Sequence, residues 1–203
     1  MLRTLLASLL ILVAGVATLA AATEGFRVFT AETARRFDIR AHPRALPSLT
    51  LQTTNGGSID LLDLRGRWLL VDFVYTRCMT YCSIQGSEFS RLQQQLAEPI
   101  AQGKATLLSL SFDPDHDGPA ELESYLQRSG VHGAGWVAAR PTDATSLTTM
   151  MRFFGVKAIS DGMGGFVHNS AIGVIDPRGR LIDVVDWSDP QMAARYLSGR
   201  AGS

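Results

Sequence analysis

From Thr4 to Thr23 the chain is apolar and uncharged, with one basic residue, Arg3, before it and the small-residue run Ala20-Ala21-Ala22 near its end. A short basic start, an apolar stretch and small residues make a secretory signal. About 20 apolar residues also suffice to cross a bilayer as an uncleaved anchor. If retained, it leaves Arg3 on the cytoplasmic side and the rest of the chain outside. No polar face marks it as a helix of a folded domain. Residues 1–24 are therefore read as a signal peptide or N-terminal membrane anchor.

The pattern then changes twice. Gly25 to Pro47 is charged and basic, with a short helix over Ala31 to Phe37 and breakers at Pro43 and Pro47. We read 25–46 as a tether and 47–203 as the domain. The domain opens with a hairpin, "LTLQTTNGGSIDLLDL", turning at Asn55-Gly56-Gly57. "RWLLVDFVY" and "ATLLSLSFD" are continuous apolar runs of the kind buried on both faces of a sheet.

Helical spacing separates these strands. Phe89, Leu92 and Leu96 recur on one face of "SEFSRLQQQLAEPIAQ". "PDHDGPAELESYLQRSG" has Asp117 near its cap, Pro119 in its first turn and Gly130 beyond its end. A short strand "GWVAAR", a helix "DATSLTTMMRFFGV", a hairpin turning at Pro177-Arg178-Gly179 and a closing helix "DPQMAARYLSG" follow. Strands that alternate with helices predict an α/β domain, a central mixed sheet with helices on both faces. The layout is thioredoxin-like, with an N-terminal β-hairpin added.

Composition narrows the function. At 203 residues and 46% hydrophobic, the chain can bury one core of its own. Net charge is zero and no basic stripe is present, which argues against nucleic acid as a partner.

The chain has two cysteines, Cys78 and Cys82, where the first long strand gives way to its helix. In such sheets, sites gather at the carboxyl ends of the strands. If the helix starts near Cys78, residues four apart share a face, and both sulfurs can converge on one ion. The positive helix end stabilises thiolate. Two thiolates suit Cu(I) or Zn(II), and the same geometry permits a disulfide. So small a loop would make a poor structural staple.

Two sulfurs leave a metal site incomplete, so the histidines matter. His42 lies in the tether, His116 in the acidic loop "DPDHDG" and His132 in a Gly-rich loop, none with an evident partner. His168 follows the glycine-rich "GMGGFV" and precedes a buried strand whose start faces the cysteine loop in a thioredoxin-type sheet. It is the third-ligand candidate.

These residues resemble the SCO/SenC family of copper proteins. The likeness runs from about Pro47 to Leu197 through "GRWLLVDFVYTRCMTYCSIQGSEFSRLQQQL", "LLSLSFDPDHDGPAELESYL" and "FVHNSAIGVIDPRGRL". It implies a thioredoxin-like fold binding one copper ion, Cu(I) or Cu(II), through Cys78, Cys82 and His168. The family's acidic position near the site falls on Asp113, expected to orient the site or its partner rather than to ligate. The resemblance also implies a protein on the periplasmic side of the inner membrane, anchored or secreted. Its partner would be the copper-bearing subunit of cytochrome c oxidase or another copper protein. Family members commonly have proline after each cysteine, where this chain has Met79 and Ser83. Without those prolines the unbound loop is less fixed. Met79 can lend a thioether or fill the apolar side of the loop.

Three activities follow from the same residues. The first is a metallochaperone, which delivers copper or keeps the thiols of the oxidase's binuclear copper centre reduced. The second is a thiol–disulfide oxidoreductase in which Cys78 attacks and Cys82 resolves. It has no need of His168. The third is a peroxidase, for which Thr76 and Arg77 would have to serve a reactive Cys78. The metallochaperone accounts for most of these residues.

Overall fold

The computed structural model describes residues 2–78 and 81–199, with the side chains of 81–83 outside the description. The apolar stretch is one helix, α1 (Leu2–Ala22), with no buried residue. Helix α2 (Ala31–Ala41) follows, its first turn capped by Thr30, whose hydroxyl accepts from the Thr33 amide at 3.1 Å. Next come β1 (Arg44–Ala45) and the hairpin β2 (Thr50–Thr53) and β3 (Ser58–Asp60), then a 3-10 turn over Leu61–Leu64. The body of the domain is β4 (Trp68–Val74), α3 (Tyr81–Gln95), α4 (Ala97–Ala101), β5 (Ala105–Ser111), α5 (Pro119–Ser129), β6 (Trp136–Pro141) and α6 (Ala144–Phe154). A small ribbon of β7 (Ala158–Ser160) and β8 (Phe166–His168) precedes β9 (Ile172–Ile175), β10 (Arg180–Val185) and α7 (Pro190–Leu197).

The main sheet has the order β1-β10-β9-β4-β5-β6-β2-β3. β4, β5 and β6 are parallel, whereas β9 and β2 run antiparallel to them. This is the expected mixed, thioredoxin-like architecture, with the hairpin β2–β3 extending one edge.

Alternation along β4 explains its unbroken apolar run. Leu69, Val71 and Phe73 face one core, shared with Met150 and Phe154 of α6. Leu70 and Val74 face the other, shared with Phe89 and Leu92 of α3, Leu122 of α5 and Ala193 of α7. Both faces are dry, so neither carries a polar stripe.

Two expectations change. The helix expected over Ala31 to Phe37 continues to Ala41, and the segment around it is no free tether. Ile39 is fully buried in the first core, and Arg40 meets buried Asp183 of β10 at 2.6 Å. The two large apolar residues of this helix, Phe37 and Ile39, are two apart and give no helical stripe to read, so the sequence pattern concealed this docking. The ribbon β7–β8 was also missed, because three-residue strands flanking glycines read as loop.

Candidate metal centre

The strand β4 ends in a tight turn rather than in a helix. The Cys78 amide donates to the Tyr75 carbonyl at 3.2 Å, and Cys78 itself is not helical. The described part of α3 starts at Tyr81. Cys78 lies in the turn and Cys82 in the first described turn of α3, so the shared helix face that a helix starting near Cys78 would give does not include Cys78 itself. The side chains of Cys82 and Ser83, and all of Met79, lie outside the described residues, so the disulfide and the thioether readings concern atoms beyond them.

A buried carboxylate pins the start of this turn. Asp117, fully buried, accepts from the Thr76 amide at 3.1 Å and the Thr76 hydroxyl at 2.6 Å, and from the Ser111 hydroxyl at 2.5 Å. Burial raises its pKa, and these hydrogen bonds offset part of the rise. The sequence pattern puts Asp117 near the cap of α5. That cap is Gly118, and Asp117 turns inward.

Asp113 serves the next residue. It accepts from Arg77 at 2.7 Å and meets His116 Nδ1 at 2.9 Å. Burial alone would raise its pKa, but the bonds from His116 and Arg77 outweigh it and hold the carboxyl below its ordinary value. Arg77, invoked above for peroxide chemistry, is thus tied to Asp113.

His168 comes from the far side. It is the last residue of β8, paired with Ala158 of β7. Alternation in this ribbon sends Phe166 and His168 inward and leaves Ile159 and Val167 about 70% exposed, at 70% and 69%. The tip is shaped by Asp161, whose carboxylate accepts from the Met163 and Gly165 amides at 2.7 and 2.9 Å. Gly162 and Gly164 take φ of 74° and 90°, conformations that favour glycine.

The ribbon is clasped to the cysteine turn. The Tyr75 hydroxyl accepts from the Phe166 amide at 3.3 Å and lies 3.4 Å from the Phe166 carbonyl. The rings of Tyr75, Phe112 and Phe166 pack on one another, with centroids 5.3 to 5.5 Å apart. The His168 ring stands 4.9 Å from Phe112 and 6.2 Å from Tyr75. Burial lowers its pKa, so the imidazole is neutral at pH 7 and keeps a lone pair for a metal.

Cys78 and His168 line one cavity of about 550 Å³, together with Tyr75, Asp161, Phe166 and Trp187. Among the described residues, no group of three or more His, Cys, Asp or Glu side chains is placed to hold a metal. The other histidines lie elsewhere: His42 beside Asp38, His132 beside Gln94, and His116 in the Asp113 network. Asp117 and the ribbon were the functional features that sequence reasoning missed. The glycine-rich "DGMGGF" was the available signal for the ribbon.

A family model described as SCO1/SenC matches residues 37–197. The SCO1 protein homolog of Bacillus subtilis is 24% identical over 136 residues, covering 66% of this chain and 69% of that protein. ScoI of Bradyrhizobium japonicum, solved with copper bound, superposes with a TM-score of 0.63 at 21% identity, covering 77% of this chain and 99% of that one. BsSco is a member of the Sco family of cytochrome c oxidase assembly proteins in which a disulfide switch was identified. It superposes at 0.66 with 18% identity, over 80% of this chain and 96% of that one. At these identities the solved structures establish the shared fold.

Proposed function

The chain belongs to the SCO1/SenC family, and from that premise we propose that it carries copper as cargo, held by Cys78, Cys82 and His168, in the assembly of cytochrome c oxidase. It works on the periplasmic side of the inner membrane, with α1 as signal or anchor. It delivers the ion to the oxidase's copper-bearing subunit or to another copper protein.

One observation carries the reading: Cys78 and His168, from distant parts of the chain, line the same cavity. Cys82, on the first turn of α3, follows Cys78 closely in the chain. The donor set fits the ion. Two thiolates and a neutral imidazole suit copper over hard cations, and the aromatic wall of Tyr75, Phe112 and Phe166 limits water around the ligands. The acidic residues that support the turn, Asp113 and Asp117, are engaged with Arg77 and Thr76.

A titration tests this. The reduced full chain in detergent should take one equivalent of Cu(I) or Cu(II), and His168→Ala should weaken that site by at least about tenfold. A single tight site indifferent to His168 would remove it from the ligand set.

The thiol–disulfide reading keeps a place beside it, because the related BsSco has a disulfide switch. Here the reduced pair would pass electrons to the oxidase's thiols, with Cys78 attacking and Cys82 resolving. Exchange with a disulfide peptide, lost in Cys78→Ser and unaffected by His168→Ala, would support it. An absence of exchange would leave delivery as the role.

A further inference from the structure

The chain leaves α1 and meets the domain within a few residues. Thr23 to Val28 forms a tight turn: the Gly25 amide donates to the Ala20 carbonyl at 2.8 Å, and the Arg27 and Val28 amides donate to the Thr23 carbonyl at 2.8 and 2.9 Å. Helix α2 then begins at Ala31 and is bound to the domain along its length. Its contacts run in order. Asn169, next to His168, donates Nδ2 to Glu32 at 3.4 Å. Arg36 meets Asp186, next to cavity-lining Trp187, at 3.4 Å. Arg40 meets Asp183 at 2.6 Å, and Arg44 of β1 pairs with Leu181. So α2 starts at the end of the sheet that holds Cys78 and His168, and runs away from it.

This direction fixes which end of the domain lies near α1. The hydrogen-bonded turn from Thr23 to Val28 takes up most of this link, and the four residues from Val28 to Glu32 reach at most about 14 Å when extended. Trp68 opens β4 at the opposite end, beyond a strand of 7 residues, which is about 23 Å long. Phe26 and Phe29 lie between α1 and α2, 46% and 66% exposed. Exposed Phe rings beside a span bury at the boundary between headgroups and acyl chains, and a basic residue such as Arg27 between them is drawn to anionic headgroups.

We infer that α2 holds the metal-site end of the domain toward the bilayer that contains α1, with Phe26 and Phe29 in the lipid interface. The inference rests on the reading of α1 as a retained span. Its consequence is that cargo is exchanged close to the surface of that bilayer, at the end of the domain lined by Cys78 and His168, rather than out at the Trp68 end.

The chain's three tryptophans supply a ruler. Trp187 lies at the site end, whereas Trp68 and Trp136 open β4 and β6 at the other. The full chain is reconstituted in vesicles of phosphatidylethanolamine and phosphatidylglycerol doped with a dansyl-headgroup lipid, and energy transfer from tryptophan is read. W187F should remove most of the transfer and W68F little of it. A flexible Gly/Ser insertion of about ten residues between Phe29 and Thr30 should abolish the difference, since such a linker is a random coil. If W68F costs as much transfer as W187F in vesicle-bound chain, the orientation is wrong while the anchor stands. If the chain stays free of the vesicles, the anchor reading fails and the inference with it.

Discussion

The Asp117 carboxylate holds Thr76 by both its amide and its hydroxyl, at 3.1 and 2.6 Å, two residues before the cysteine that lines the cavity. The bond joins the start of the site turn to the loop after β5, so the turn is built from two strands rather than one. Asp117→Ala leaves the Thr76 amide and two hydroxyls without their acceptor. Each buried orphan costs roughly 1–3 kcal/mol, and hydroxyls can turn elsewhere, so a loss of about 3 kcal/mol is expected. For a domain of this size that lowers Tm by about 6–12 °C. Calorimetry that finds Tm unchanged would deny Asp117 its structural role.

Asp113 acts on the next residue, Arg77. Its folded pKa lies below the ordinary 3.8, so its stabilisation is present above that value and is lost as pH falls through the folded pKa. Asp113→Asn should therefore flatten the acid limb of the stability curve below about pH 4. It should also weaken copper binding by about tenfold, because Arg77 beside Cys78 loses its tie. Competition titration with a chelator checks the second effect, and an unchanged affinity would separate Asp113 from the site.

Asp72 carries a different signature. It sits on β4 beneath α3, fully buried, and burial pushes its pKa from 3.8 up to about 7, against partial offset by Ser109, Gln85 and Tyr125. The folded chain thus keeps a proton that the unfolded chain releases. Stability falls as pH rises from about 4 to about 7, by about 4 kcal/mol at most. Asp72→Asn should remove that share of the slope and be more stable than the parent at pH 8. Urea denaturation at pH 5 and pH 8 measures it, and parallel slopes in the two proteins would contradict the assignment.

Gly155 caps α6 with φ of 66°, and a Cβ there would come within 2.7 Å of Arg35 Cδ. Arg35 donates to the Phe154 and Gly155 carbonyls at 2.7 and 3.2 Å. Gly155→Val should therefore loosen α2 and expose Arg35, Arg36 and Arg40 to trypsin before any bond in the sheet is cut. A digestion pattern matching the parent would show that α2 does not depend on this close approach.

Much of this was legible in the sequence, for physical reasons. The apolar run of β4 and β5 and the proline and glycine that bound α5 are local signals, and each element formed where they stand. His168 could be brought to Cys78 because a strand antiparallel to β4 must start where β4 ends. What escaped depends on contacts between distant residues. Ile39 forms no apolar stripe with Phe37, two residues before it, and its burial depends on contacts with the distant strand β10. Asp117 reads as a cap residue until the fold offers it Thr76. Cys78 itself lies in a turn, because Asp117 and the Tyr75 carbonyl claim the backbone at Thr76 and Cys78.

X-ray absorption at the copper edge of the loaded, full-length protein tests the central claim most directly. The account requires a first shell of two sulfurs and one imidazole nitrogen, with the nitrogen lost in His168→Ala and both sulfurs kept. A shell of sulfur alone in the parent, or a nitrogen that survives His168→Ala, would contradict it.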